Sequence, residues 1–303
     1  MSSPAVSVVI SCYNGEKFLR PALDSILNQT FSDFEFIVLN NASTDGTAKI
    51  LDNYHDPRMV KLKNDTLLDM CASFNKGHAM AQGRYIAHLD ADDVALPDRL
   101  AKQVTFLDSH PDVGMVATQY EFIKENNEIQ KSVLTPIKSE DLYESLATGN
   151  LIAHSSVTFR KDVLDQFGHY PLTYEYAEDY AIYIDVASRA NIACLPDLLT
   201  QIRLHAGQIT NAPEWRERQL TDVLDLLRKA ANLPKLSKRA QRDNRQAVCD
   251  ALLRYGVFLA RDGRHVKAFG TLLEGMLTDP LHASRRLRAS LRNLGSRISG
   301  FSS

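Results

Sequence analysis

Short apolar runs rich in β-branched residues recur through the first hundred positions, at 6–11 (VSVVIS), 34–39, 59–62 and 85–89. Unbroken apolar runs of this length mark strands covered on both faces, as in a parallel sheet. Between them the period changes to that of a helix. Phe18, Leu19, Ala22, Ile26 and Leu27 share one face with Pro21 near the first turn, residues 48–54 follow a Ser-Thr-Asp cap, and 71–82 stop at Gly83. This alternation predicts a parallel β/α sheet, whose ligand site lies beyond the carboxyl ends of the strands. Residues 11–15, 40–46 and 90–93 each follow a strand directly, so all three are expected along that edge.

After Pro111 the alternation weakens. VGMVATQYEFI reads as a strand, EDLYESLATG as a short helix, SSVTFR as a strand and KDVLDQFG as a helix, which predicts a mixed-sheet second half. From about Pro213 the pattern is helical: Leu220, Val223, Leu224 and Leu227 share a face, and helices over 247–260 and 265–277 join across Asp262 and Gly263. The last pair resembles one tetratricopeptide-type hairpin, but such arrays need about three repeats to stand alone, so a helical cap on the preceding domain is the plainer expectation. The expected division is 1–212, with halves of about 1–110 and 111–212, followed by a helical region over 213–303.

The 303 residues are 44% hydrophobic, enough for one sizeable domain and an appendage, and a formal net charge of -2 gives no global attraction to nucleic acid. Cys12, Cys71, Cys194 and Cys249 lie too far apart for a zinc motif or a small disulfide framework, which fits a reducing compartment. The opening MSSPAVSVVISCYN runs straight into a strand, and no window approaches the roughly 20 apolar residues of a spanning helix. The expected location is the cytoplasm, or the cytoplasmic face of the inner membrane.

The segment HLDADDVALPDRL sets Asp90, Asp92 and Asp93 just after an apolar strand. Carboxylates so close repel, and a hard cation, Mg²⁺ or Mn²⁺ with a diphosphate completing its shell, relieves that repulsion; a solvated acidic turn is the alternative. Neither a GxGxxG after the first strand nor a GxxxxGK[ST] is present, which argues against a dinucleotide-dependent dehydrogenase and a P-loop NTPase.

These segments together resemble an inverting family two glycosyltransferase of the GT-A fold. The resemblance covers about residues 5–210 and rests on VSVVISCYNGEKFLRPALDSILNQTFSDFEFIVLNNASTDGT, AMAQGRYIAHLDADDVALPDRL, HSSVTFRKDVLDQFGHY, EYAEDYAIYIDVA and LTQIRLHAGQIT. It implies a mixed α/β sheet flanked by helices, with a nucleotide-sugar half, an acceptor half and an α-helical C-terminal extension. It further implies that Ser11, Tyr13, Asn14, Asn41, Asp90, Ala91 and Arg99 bind the donor, with Tyr13 on the nucleotide base or in the core, Asp90 on the ribose or arranging the acids, and Arg99 supporting phosphate or forming a surface ion pair. Asp92 would ligate the metal, Asp93 support the turn, and Arg203 and His205 match the family's arginine and histidine, His205 as a metal ligand, a diphosphate contact or a structural residue. Asp179, with Glu178 beside it, matches the catalytic base, and His154 lies where the family lines the acceptor pocket. Tyr183 and Asp185 depart from the tryptophan and arginine frequent at those positions, which leaves the acceptor open. The implied partners are a nucleoside-diphosphate sugar, UDP-sugar first, and a glycan, lipid-linked or protein acceptor in polysaccharide or glycoconjugate synthesis. A sugar nucleotidyltransferase and a non-catalytic scaffold are the competing readings.

Two features stand apart. Asn40 and Asn41 occupy positions where the family usually has aspartates, so Asn41 either reads the base as a neutral amide or shapes the corner by Asx turns. Residues 281–303 carry Arg285, Arg286, Arg288, Arg292 and Arg297 without an acid, with Leu287, Leu291, Leu294 and Ile298 at helical spacing. That basic amphipathic pattern fits peripheral contact with an anionic membrane through residues 285–297, or a terminal helix on its own domain, and lacks the aromatics of a nucleic-acid surface.

Overall fold

The computed structural model describes residues 3–133, 135, 138–167, 169–174, 176–208 and 215–286. The chain forms two compact units, Met1–Ser145 with Asn150–Ala212, and Leu146–Gly149 with Pro213–Ser303.

The first unit begins with β1 (Val6–Cys12), α1 (Leu19–Leu27), β2 (Phe34–Asn40), α2 (Thr47–Asp52), β3 (Met59–Lys63), α3 (Met70–Met80) and β4 (Tyr85–His88). It continues through β5 (Val94–Ala95), α4 (Arg99–Ser109), β6 (Val113–Lys124), β7 (Ile129–Val133), α5 (Ser139–Ser145), a 3-10 turn at His154–Ser156, β8 (Thr158–Arg160), α6 (Lys161–Asp165), α7 (Glu178–Ala187) and β9 (Asn191–Leu204). The sheet runs β3-β2-β1-β4-β8-β6-β9-β5, with β7 on β6. β1 to β4 are parallel, β8 is antiparallel to both β4 and β6, and β6 and β9 are parallel, giving the mixed second half that the pattern predicts.

Val6, Val8 and Ile10 of β1 and Phe36 and Val38 of β2 are wholly buried against Leu19, Leu23 and Ile26 of α1. The other face is covered closely by α3, where a Cβ on Gly77 would stand 2.6 Å from Val9 Cγ1. Register puts Cys12 opposite Asn40 and Asn40 opposite Lys63, so neighbouring strands end level and their following loops share one edge.

Several boundaries differ from the pattern. SSVTFR is not one strand: Ser155 and Ser156 lie in the 3-10 turn, where the Ser156 hydroxyl donates to Ala153 O at 2.7 Å, and only the last three residues pair. Helix α3 stops at Met80 because Ala81 is extended. The pattern predicts neither the two-residue β5 nor the exposed β7, both too short or too polar to carry a strand period.

The second unit holds α8 (Arg216–Ala230), α9 (Lys238–Arg261) and α10 (His265–Thr278). Helix α9 starts well before residue 247 because the Ser237 hydroxyl caps it, accepting from the Ala240 N–H. Leu224 and Leu227 of α8 pack with Val248, Ala251 and Leu252 of α9. Glu217 accepts from the Tyr255 hydroxyl at 2.8 Å and from both terminal nitrogens of Arg264. Helices α9 and α10 form the hairpin anticipated across Gly263, whose φ of +77° lies in the left-handed region. Among the described residues no helix is long and apolar enough to cross a membrane.

The turn from α3 into β4 allows no side chain at Gly83, where a Cβ would lie 2.5 Å from Ser7 N and 2.6 Å from Val6 C. Both neighbours are backbone of the central strand and cannot swing away. Gly83→Ala is therefore expected to cost about 1–3 kcal/mol, seen as a lowered urea midpoint at unchanged slope.

Candidate functional site

The acidic turn lies where β4 ends, and each of its carboxylates meets a separate partner. Asp90 Oδ1 is 2.9 Å from His154 Nδ1, and Asp92 Oδ2 is 2.8 Å from His205 Nε2. Asp93 is buried, accepting from the Ser155 hydroxyl at 2.5 Å and from the Arg203 backbone N–H at 2.8 Å. Ser155 also accepts from the Asp90 N–H, tying both ends of the turn to the 3-10 segment. Arg203 is buried: its Nε donates to Asp92 O, and Nη1 donates to Lys124 O and to Asn127 Oδ1.

Burial raises the pKa of all three acids, and their partners decide the outcome. His154 more than offsets burial at Asp90, whose pKa is held below the ordinary range. Burial and the neighbouring Asp90 outweigh His205 at Asp92, which is raised, and Asp93 is raised well above the usual range by burial and by both other acids.

The expected nucleotide-side residues do not all line one surface. Tyr13 is 50% exposed at the end of β1, so it does not pack in the core. The Ser11 hydroxyl pairs with that of Ser73 at 2.7 Å, and Ala91 lies half-buried within the acidic turn. Asn14, at φ 51°, accepts from the Thr44 N–H and hydroxyl through Oδ1, so its side chain ties the loops after β1 and β2 together. Asn41 Oδ1 accepts from the Leu68 N–H and Asn64 Nδ2, and its amide donates to Leu68 O, so the side chain fastens the corner after β2 to residues 64 and 68. Asn40 Oδ1 accepts from the Ser43 N–H three residues on, and the left-handed residue of the corner is Ala42 at φ 58°.

Arg99 is a correction. It is wholly buried, neither on the surface nor open to a phosphate, and it donates to His88 O, Val157 O and Gln103 Oε1. Burial pushes its pKa down to about 9, against the opposing pull of Asp93 and Asp90. Its place is behind the acidic turn, joining β4 to the start of β8.

Glu178 and Asp179 open α7. Asp179 accepts from the Tyr180 N–H at 2.6 Å and from Asn150 Nδ2 at 2.7 Å. Burial, then Asp179 beside it, pushes Glu178 up to about 8. Asp179 is also raised by burial, but His154, the Tyr180 N–H and Asn150 act in the opposite sense.

His154 belongs to a buried chain that sequence reasoning missed. Its Nε2 is 2.6 Å from the Tyr170 hydroxyl, which is 3.4 Å from His88 Nδ1; His88 Nε2 is 2.8 Å from His78 Nε2, and His78 Nδ1 is 2.9 Å from His169 Nδ1. His169 Nε2 ends the chain 3.1 Å from Asp165. Burial works against charge on His154, but Asp90, Asp179 and Glu178 outweigh it and push the imidazole up to about 9. Burial and the surrounding cations hold His78 and His88 well below the usual histidine range, and burial lowers His169. With His154 charged and the other three neutral, every link has one donor and one acceptor. His154 then donates to Asp90 and Tyr170, and the direction continues through His88, His78 and His169 to Asp165. The available signal was a histidine, His88, inside the apolar run of β4.

Among the described residues no three His, Cys, Asp or Glu side chains converge to hold a metal. Asp92 and His205 supply one oxygen and one nitrogen side by side. That pair suits a divalent ion that takes its remaining ligands from a diphosphate and water.

The sequence model described as Glycosyl transferase family 2 matches residues 7–168. An uncharacterized glycosyltransferase of Haemophilus influenzae is 31% identical over 69% of this chain and 68% of its own length. The shared stretch covers 58% and 43% of two further glycosyltransferases, of Methanocaldococcus jannaschii and Bacillus subtilis. A UDP-Glc:alpha-D-GlcNAc-diphosphoundecaprenol beta-1,3-glucosyltransferase of Escherichia coli is 27% identical over 68% of this chain and 79% of its own. Among solved structures, S. aureus TarS 1-349 with UDP-GlcNAc superposes at TM-score 0.68 with 19% identity, covering 89% of this chain and 81% of TarS. A mannosyltransferase of Pyrobaculum calidifontis with GDP-Man and Mn²⁺ superposes at 0.61 with 20% identity, covering 97% and 88%.

The His154–Asp90 pair carries a definite pH signature. A histidine raised from 6.5 to about 9 stabilises the fold fully below pH 6.5 and loses that contribution as pH rises through about 9. An NMR titration is expected to show His154 still charged at pH 7.5, with His78 and His88 neutral, and His154→Gln is expected to flatten the fall in stability between pH 6.5 and 9.

Proposed function

The chain belongs to glycosyltransferase family 2, and from that premise we propose that it transfers sugar with inversion from a UDP-sugar to a hydroxyl of a glycan, lipid-linked or protein-linked acceptor, with Asp179 as general base. Its mixed sheet with flanking helices is the GT-A fold. The observation that carries the mechanistic reading is the difference between the two carboxylates of α7. With its pKa near 8, Glu178 holds its proton at neutral pH. Asp179, facing the His154 cation and two hydrogen-bond donors, is the carboxylate available to take a proton.

As the acceptor hydroxyl attacks, Asp179 withdraws its proton, and the nucleoside diphosphate leaves from the opposite face of the sugar. One displacement inverts the anomeric centre without an enzyme nucleophile. Asp90, fixed as an anion by His154, is assigned to the donor's hydroxyl groups, and the exposed Tyr13 ring to the nucleotide base. Glu178, as the neutral neighbour, keeps a second negative charge away from the base.

Asp92 and His205 would hold Mn²⁺ or Mg²⁺, a role supported by their 2.8 Å separation and by the Mn²⁺ bound to the Pyrobaculum enzyme. Such an ion, when bound, supplies positive charge to the departing diphosphate. The UDP-GlcNAc of TarS and the UDP-Glc of the Escherichia coli relative support a uridine donor, and that relative's diphosphoundecaprenol substrate supports an acceptor carried on lipid.

UDP release from a panel of UDP-sugars with Mn²⁺ tests the assignment. Asp179→Asn is expected to slow release by about 10²–10⁴-fold while calorimetry shows donor binding unchanged, and Asp92→Asn is expected to abolish the response to Mn²⁺. Full activity in Asp179→Asn would remove it as the base.

A further inference from the structure

Helix α10 is built with its small residues inward and its large apolar residues outward. Ala268 and Gly275 are buried, the latter with Leu252 and Leu253 within 3.3 Å of where its Cβ would stand. On the opposite side Val266, Phe269, Leu273 and Leu277 recur at spacings of three and four, and Val266 is 91%, Phe269 68% and Leu277 71% exposed. Leu281, just past the helix, is exposed as well. A contiguous apolar stripe of this kind marks a surface that is covered in use.

Charge indicates what covers it. Residues 213–303 carry 18 Lys and Arg against nine Asp and Glu, whereas 1–212 carry 17 against 28, so the two regions have opposite sign. Most acids around the stripe are already engaged: Glu274 pairs with Arg228, Glu217 and Asp262 pair with Arg264, and Asp279 accepts from the His282 N–H. Arg285 and Arg286 are exposed where the described residues end, Arg286 reaching Asp250 at 2.7 Å. Arg288, Arg292 and Arg297, in the expected basic tail, lie outside the described residues and add positive charge without an acid. An apolar strip in a region of surplus positive charge is complementary to an anionic bilayer: the side chains enter the acyl boundary while arginines meet the headgroups.

We infer that the outer face of α10, with Leu281 and Arg285, is a docking surface for an anionic lipid membrane. The surface rests on the proposed function only for its purpose, which is to hold a transferase beside a lipid-linked acceptor; the binding is separate from the chemistry.

Co-sedimentation of the full chain with phosphatidylcholine vesicles, and with vesicles that also contain phosphatidylglycerol, tests it. Wild type is expected to sediment with the anionic vesicles, less so at high salt, and weakly with the neutral ones. The triple change Phe269→Ser, Leu273→Ser and Leu277→Ser is expected to weaken this by about tenfold or more, with an unchanged melting curve and unchanged UDP-sugar hydrolysis. Wild type left in the supernatant, or a variant that binds equally well, would overturn the inference. So would a wild-type dimer in sedimentation velocity that the triple change converts to monomer, because a second copy would then cover the face. Absence of hydrolysis in both proteins would count against the transferase reading alone, since sedimentation reads binding without turnover.

Discussion

Three carboxylates within four residues must coexist at the end of a buried strand, and the first unit is arranged around that electrostatic demand. Like charges this close raise one another's pKa, as at Asp92 and Asp93, and left unpaired they would push the turn apart. Instead His154 meets Asp90, His205 meets Asp92, and the Arg203 backbone meets Asp93, while Arg99 and Arg203 place buried guanidinium groups behind the turn. These partners come from α4, the 3-10 segment and the end of β9, more than a hundred residues away in the case of Arg203 and His205. The sheet order β4-β8-β6-β9 brings them together. The mixed second half of the sheet thus supplies His154, Arg203 and His205 to the acidic edge of the first half, and α4 adds Arg99.

The same logic explains the two carboxylates of α7. They are adjacent, both half-buried, and cannot both ionise cheaply. One has two hydrogen-bond donors and faces His154; the other is pushed up to about 8. His154 therefore serves two groups of acids at once, and the directed chain through Tyr170, His88, His78 and His169 holds its ring in place from behind.

How much of this was legible in the sequence follows from how local each feature is. The buried runs of β1, β2 and β4 and the loops that end them announce a parallel sheet and a shared edge, since both are set by neighbours in the chain, whereas β3 at the sheet's edge is only half-buried and not covered on both faces as its run suggests. The Asp-Ala-Asp-Asp run was equally plain. Arg99 was misread because nothing in LPDRL tells an arginine on the surface from one whose guanidinium caps His88 O and Val157 O. Asn14 and Asn41 have the residue types of ligand contacts, yet their amides are used to fasten loops. The histidine chain joins positions 78, 88, 154 and 169 through packing alone, and no spacing rule connects them. The outward-facing stripe of α10 emerges only once Ala268 and Gly275 are seen to face inward.

If Asp92 and His205 hold a divalent ion for a nucleoside diphosphate, as proposed, Arg203 behind the acidic turn must keep Asp92 in position for it. Calorimetric titration of UDP in the presence of Mn²⁺, comparing wild type with Arg203→Lys, tests it most directly. Lysine keeps the charge but loses the fork that holds Asp92 O, Lys124 O and Asn127 together. The account predicts binding weakened by about tenfold or more in a protein with an unchanged far-UV spectrum; wild-type affinity in Arg203→Lys would contradict it.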